Sequence, residues 1–200
     1  MIEVDVTSKD FGEAKVLKNI HFSLEKGDCL AILGPSGIGK STLLRLIAGI
    51  DKDYKGTIKR PDRMAIVFQE PTLLSWRTAI QNILLVHEGL GKVEALDMLT
   101  RVGLPEKADF FPGQLSLGQQ RRLALARAFA GRPEFLIMDE PFVSLDEKTA
   151  AEMVALTQVL LKDRETATLF VTHEKQEAAQ LADRILELEG TPATLREKKS

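Results

Sequence analysis

Gly34-Pro35-Ser36-Gly37-Ile38-Gly39-Lys40-Ser41 has the residue types and spacing of a phosphate-binding loop. Its flanks decide the fold. The apolar run Cys29-Leu30-Ala31-Ile32-Leu33 reads as a buried strand, and Thr42-Leu43-Leu44-Arg45-Leu46-Ile47-Ala48 reads as a helix with a leucine-rich face. Strand, glycine loop and helix in that order are the context the motif requires. Glycines let backbone N–H groups fold inward around a phosphate without Cβ clashes, and the helix N-terminus adds unpaired N–H groups and the positive end of its dipole. Lys40 supplies a mobile positive charge for terminal phosphates, and the Ser41 hydroxyl can ligate Mg²⁺. The bland alternative is a flexible glycine turn, which the flanking strand and helix argue against.

Working outward, Ile2-Glu3-Val4-Asp5-Val6 and Ile20-His21-Phe22-Ser23-Leu24 alternate apolar and polar residues, as half-buried antiparallel strands do. Gly56-Thr57-Ile58-Lys59 and Met64-Ala65-Ile66-Val67-Phe68 read as two further strands. From Thr78 the apolar spacing turns helical, through Ile80, Ile83 and Leu84 and, after the Gly89/Gly91 break, Val93, Leu96 and Leu99. Gly103-Leu104-Pro105 and Phe111-Pro112-Gly113 close that region. Apolar strands and helices then alternate to about Leu188, which predicts a mainly parallel sheet covered on both faces. The expected architecture is α/β: a phosphate-loop core (about 1–71 and 116–200) with a mainly parallel sheet, an N-terminal antiparallel β part and an inserted α-helical subdomain (about 72–115). The tail Thr191–Ser200 is short, polar and basic, its lysines read as a solvated terminus, and it leaves no room for a regulatory domain.

Bulk properties narrow the class. The 200 residues suit one domain or one domain with a small insertion, and 44% hydrophobic content is enough for a real core. A formal charge of −2 with mixed signs argues against a broad nucleic-acid surface. The sequence contains no apolar run of the ~18 residues a bilayer span needs, and no secretory leader pattern opens it. The lone Cys29 reads as a small buried hydrophobe in a reducing compartment. The expectation is a cytoplasmic protein.

A second element lies far downstream. Phe135-Leu136-Ile137-Met138-Asp139-Glu140 describes a buried strand that delivers two carboxylates to its C-terminal tip, the edge where open α/β sheets bind ligands. Asp139 is the natural outer-shell partner of Mg²⁺, and Glu140 can polarise an attacking water. Alone, such a pair is more often a helix cap; with the phosphate loop it reads as catalytic.

Here the chain resembles the ATP-binding subunits of ABC transporters over nearly its whole length. Leu115-Ser116-Leu117-Gly118-Gln119-Gln120, leading into Arg121-Arg122-Leu123-Ala124, resembles the family's signature loop. Taken alone, Ser116 is equally an N-cap on an amphipathic helix. The family pattern has Gly where this chain has Leu117; Gly118 is retained, so Leu117 reads as a tuning change. The resemblance implies that Ser116, Leu117, Gly118 and Gln119 face ATP held by the opposite subunit. It implies ATP contacts from Phe11, Val16, Gly34, Pro35, Ser36, Gly37, Ile38, Gly39, Lys40, Ser41 and Thr42. Gln69 resembles the Q-loop glutamine that reaches Mg²⁺ and the water, so the implied metal set is Ser41, Gln69 and Asp139. Asp146 matches the D-loop, and His173 the switch histidine that contacts the γ-phosphate. In isolation His173 reads as a capping or core histidine, and Phe11 as a core aromatic at a strand end. His21 and His87 have no such context and read as structural or exposed.

Pro71-Thr72-Leu73-Leu74-Ser75-Trp76-Arg77-Thr78 is similar to importer ATPases of the nitrate/sulfonate/taurine type. That resemblance implies a homodimer or pairing with a homologous ATPase subunit, a transmembrane permease docked on the insertion, and an extracytoplasmic solute-binding protein. It places the chain on the inner face of the membrane through the permease, with ATP and Mg²⁺ as cofactors and no nucleic-acid partner. Trp76 reads either as insertion core or as partner surface, and the neighbouring leucines as core. Alternatives are an ABC ATPase of lipid or lipoprotein trafficking or of cell division, a soluble non-transport ABC ATPase, and a nucleotide-dependent scaffold without turnover.

Overall fold

The computed structural model describes residues 1–162 and 165–197. In chain order the strands are β1 (Ile2–Phe11), β2 (Ala14–Leu24), β3 (Cys29–Leu33), β4 (Lys55–Lys59), β5 (Met64–Val67), β6 (Phe135–Asp139), β7 (Ala167–Thr172), β8 (Arg184–Glu189) and β9 (Thr194–Glu197). The helices are α1 (Lys40–Ile47), α2 (Ala79–Leu84), α3 (Lys92–Arg101), α4 (Leu117–Ala130), α5 (Glu147–Lys162) and α6 (Lys175–Leu181). The chain forms two compact units. The first holds Met1–Ile66, Glu134–Glu140 and the described residues from Glu165 onward; the second holds Val67–Pro133 and the described residues from Pro141 to 162.

The first unit carries two sheets. One is antiparallel, in the order β2-β1-β4. The other has the order β5-β6-β7-β3-β8-β9, with β6, β7, β3 and β8 parallel and β9 antiparallel to β8. In β1, Ile2, Val4 and Val6 face inward by simple alternation. Register shifts then break the phase, between Val6 and Ser8 against β4 and between Lys9 and Asp10 against β2. Between them Lys9 is the inward residue. Strands β3 and β7 are buried along their whole length, as expected of strands covered on both faces. Leu43, Leu44, Leu46 and Ile47 form the buried stripe of α1 and join Leu30, Ile32, Ile137, Leu169 and Val171 in one apolar cluster. Each such aliphatic burial is worth about 1.5–3 kcal/mol, so α1 is anchored by the same core that fixes the strands beside it.

Part of the polar tail forms a strand. Thr194–Glu197 pair with Leu186–Glu189 as β9, and Ala193 bonds to β2, its carbonyl accepting from Lys18 N at 2.9 Å and its N–H donating to the Val16 carbonyl at 2.8 Å. The physical reason is the apolar pair Ala193 and Leu195: Ala193 is buried and Leu195 packs against the core, while Arg196 and Glu197 beyond them are exposed. Lys198–Ser200 lie outside the described residues.

The second unit is helical. Helix α4 contributes Leu123, Ala124, Leu125, Ala128 and Phe129 to its interior, and α2 and α3 add Ile80, Ile83, Ala95, Met98 and Leu99. Asn82, 1% exposed, staples the turn before α2. Its Oδ1 accepts from Leu74 N at 2.8 Å, and its Nδ2 donates to the carbonyls of Leu74, Arg77 and Thr78 at 3.0–3.1 Å. His87 is half-buried beside Gly131, and its Nε2 meets the Arg127 carbonyl.

Candidate nucleotide site

Three parallel strand tips assemble the site. Leu33 is in register with Thr172, and Asp139 with Val171, so the chain leaves β3, β6 and β7 at one edge. The loop 34–39 follows β3, the acid pair ends β6, and His173 follows β7. This is the edge at which open α/β sheets take ligands.

The loop's backbone needs its glycines. Gly37 and Gly39 have φ of +80° and +114°, and Gly39 is the left-handed N-cap of α1. A Cβ on Gly34 would lie 3.0 Å from both Ile38 Cγ2 and the Leu188 carbonyl, and one on Gly39 would lie 3.1–3.2 Å from Leu17 and Val16. Val16 therefore packs on the loop from β2. Pro35, Ser36, Gly37 and Ser41 are exposed, while Ile38 and Thr42 are half-buried.

Lys40 is only 4% exposed. Its Nζ donates to the carbonyls of Gly34 at 2.8 Å and Pro35 at 3.0 Å, and lies 3.1 Å from Glu140 Oε1. The other Glu140 oxygen, Oε2, lies 3.3 Å from His173 Nδ1. The Glu140 backbone has φ +43°, a strained value for a non-glycine residue, and its N–H donates to the Val171 carbonyl at 3.0 Å. Ser41 Oγ donates to Asp139 Oδ1 at 3.2 Å. Burial pushes the Asp139 carboxyl above the usual range, with the Ser41 bond opposing. Behind His173, Thr172 Oγ1 donates to Glu177 and accepts from Glu174 N at 3.0 Å, which fixes the turn carrying the imidazole. Burial raises Glu177 as well, again against the Thr172 bond.

Phe11 ends β1 with 54% of its surface exposed, and the Lys9 ammonium lies 4.4 Å from its ring centroid. Of the expected first-unit residues, the structure thus brings Lys40, Glu140 and His173 into one contact set and Ser41 and Asp139 into another, with Val16 supporting the loop.

The second unit holds the other candidate residues. Ser116 is the N-cap of α4 in a capping box: its Oγ accepts from Gln119 N at 3.3 Å, while Gln119 Oε1 accepts from Ser116 N at 3.0 Å. As an acceptor in that bond, the hydroxyl keeps its own proton to donate. Leu117 is 43% exposed. A Cβ on Gly118 would lie 3.1 Å from Thr149 Cγ2, which explains a small residue there. Asp146 accepts from Thr149 N at 3.0 Å and Thr149 Oγ1 at 2.6 Å, and these bonds hold its carboxyl below the usual range. Ser116, Gly118, Arg122, Asp146 and Thr149 line one cavity of about 480 Å³. Gln69 is exposed just past β5, and Trp76 is 69% exposed.

Sequence reasoning missed two arginines of this unit. Arg121, 6% exposed, donates from Nη1 to the Pro141 carbonyl at 2.8 Å and so fixes the chain just after the acid pair. Arg127 donates to the carbonyls of Pro71 and Thr72 at 3.1 and 2.8 Å and to Thr72 Oγ1 at 3.0 Å. Burial lowers both guanidinium groups from their ordinary value. Their signal was present as arginines within the otherwise apolar face of α4.

A parallel sheet with this loop and acid pair at its edge defines a phosphate-loop nucleotide-binding domain. Residues 17–143 match the family described as ABC transporter, and the chain belongs to that family. It is 42% identical over 194 residues to the aliphatic sulfonates import ATP-binding protein SsuB 1 of Paraburkholderia xenovorans (strain LB400), covering 94% of this chain and 57% of that protein. The aliphatic sulfonates import ATP-binding protein SsuB of Granulibacter bethesdensis is 40% identical over 190 residues, covering 94% of this chain and 80% of that protein. Against several such relatives the chain spans less than two thirds of their length, at 56–59%. A dimeric structure of an ATP-binding cassette in a post-hydrolysis state, bound to ADP and Pi, has a TM-score of 0.80 at 29% identity, covering 100% of this chain and 98% of that one.

Proposed function

We propose that this chain is the ATP-hydrolysing, nucleotide-binding subunit that powers an ABC-type membrane transporter taking up a small solute of the nitrate, sulfonate or taurine class. One observation carries the catalytic part: Glu140, at a strand tip, is held between Lys40 at 3.1 Å and His173 at 3.3 Å. A carboxylate, an ammonium and an imidazole in mutual contact are the set needed to align a water and neutralise developing charge, which supports this reading. The names of the sulfonate-import relatives support the solute class.

In this reading the loop amides and Lys40 bind the phosphates, Phe11 stacks on the adenine, and Val16 packs beside it. Glu140 accepts the proton of the attacking water, and His173 holds the transferred phosphoryl group. Ser41 Oγ and Asp139 Oδ1, 3.2 Å apart, are hard oxygen donors suited to Mg²⁺, with Gln69 as a further oxygen ligand. When bound, Mg²⁺ supplies charge neutralisation at the phosphates.

Ser116, Leu117, Gly118 and Gln119 then face the nucleotide of a second copy or of a homologous ATPase subunit, with Asp146 at that boundary. The helical stretch about 72–115, with Trp76 exposed, receives a transmembrane permease, and an extracytoplasmic solute-binding protein completes the system. Attachment at the inner face of the membrane runs through the permease in this reading, and among the described residues no helix is long and apolar enough to cross a membrane. Phosphate release by the Glu140→Gln variant tests the catalytic assignment.

A further inference from the structure

We infer that Lys9 is a positioning residue for the nucleobase platform: its ammonium occupies one face of the Phe11 ring, 4.4 Å from the centroid, and leaves the opposite face to the purine of ATP. The inference rests on Phe11 being the base-stacking residue.

Lys9 is an unusual strand residue. It is 2% exposed, turned inward by the register shifts of β1. Its Nζ lies 2.9 Å from Asp51 Oδ2 and 3.4 Å from Asp53 Oδ2, and it donates to the Asp53 carbonyl at 2.6 Å. Asp51 is itself held, because its Oδ1 accepts from Asp53 N at 2.9 Å. The bond to Asp51 keeps the ammonium protonated, and the same bond holds the Asp51 carboxyl low. A burial this complete is costly for a lysine unless its proton donors are used, and here they are. The ammonium is therefore a fixed point, tied to the 51–53 loop and not free to follow a ligand.

Phe11 is the opposite case. Its ring is 54% exposed at the end of a strand, where nothing but neighbouring contacts limits its rotamers. A fixed cation against one face restricts the ring to one orientation by cation–π attraction. A ring ordered before the ligand arrives loses less freedom on stacking, which tightens binding of the base without touching the phosphates. Lys9 thereby separates base recognition from phosphate recognition.

The test is a double-mutant cycle on the full chain, with dissociation constants measured by calorimetry for ATP and for inorganic tripolyphosphate at fixed Mg²⁺. Lys9→Met should weaken ATP about twofold to tenfold, leave tripolyphosphate unchanged, and have no further effect in a Phe11→Ala background. Lys9→Arg, which keeps a cation, should restore most of the ATP affinity. Lys9→Met combined with Asp51→Asn removes the uncompensated carboxylate, so the loss of ATP affinity is read in a folded protein whose melting is monitored in parallel. Equal weakening of ATP and tripolyphosphate, an unchanged ATP affinity in Lys9→Met, or an undiminished Lys9 effect without the Phe11 ring would overturn the inference. An unchanged ATP affinity in Phe11→Ala would overturn it differently, by removing the platform reading beneath it.

Discussion

The Glu140 carboxylate lies 3.1 Å from the Lys40 ammonium, one oxygen committed to the phosphate loop. Its other oxygen is 3.3 Å from His173, so the single acid links the tips of β3, β6 and β7. Exchanging Glu140 for Gln keeps the shape and a hydrogen-bonding carbonyl but removes the base. Turnover should fall roughly 10²–10⁴-fold while ATP affinity stays within a few-fold of the parent. Phosphate release and nucleotide titration on the same preparation check this. An unchanged rate would remove Glu140 from the chemistry.

The lone cysteine gives a pH-dependent prediction. Cys29 is 7% exposed on β3, and burial first, then the nearby Asp183, pushes its thiol from 9.0 up to about 12. The neutral form is favoured in the folded chain, so its contribution to stability is complete below pH 9 and is lost as the pH rises toward 12. By pH 10.5 that loss should reach about 2 kcal/mol. Denaturant unfolding of the parent and of Cys29→Ala, followed from pH 8 to 10.5, should show a steeper alkaline decline in the parent. Parallel curves would contradict it.

How much of this could be read from the chain alone follows from where the physics is local. The phosphate loop and acid pair are contiguous in sequence and depend only on their own strand and helix, so Gly34–Ser41 and Asp139–Glu140 are legible as soon as their flanks are. The ends of α4 follow from Ser116 as N-cap and Gly131 as the stop. Lys9 was not legible, because strand alternation continues outward through it and only the register shifts against β2 and β4 turn it inside. Strand β9 was missed for a related reason. Four residues with one apolar side chain carry little pattern, and their pairing is decided by the free edge of β8. Arg127 was hidden because its partners are backbone carbonyls of Pro71 and Thr72, which no side-chain pattern announces.

Trp76 distinguishes a partner surface from an interior. At 69% exposure it contributes little to the unit's packing, while Asn82 holds the turn that presents it. Trp76→Ala should leave basal ATP hydrolysis and melting temperature close to the parent. Stimulation by the reconstituted permease should fall at least several-fold, since exposed aromatic anchors dominate interface energetics. Full stimulation in that variant would place the permease elsewhere.

The central claim is that the phosphate loop of one copy and the Ser116 loop of another close on the same ATP. Sedimentation of the Glu140→Gln variant with saturating ATP and Mg²⁺ tests it most directly. The account predicts a dimer with ATP, a monomer with ADP, and loss of the ATP-dependent dimer when Ser116 is replaced by Arg. A variant that remains monomeric with ATP, or that dimerises equally well with the Ser116→Arg change, would contradict it.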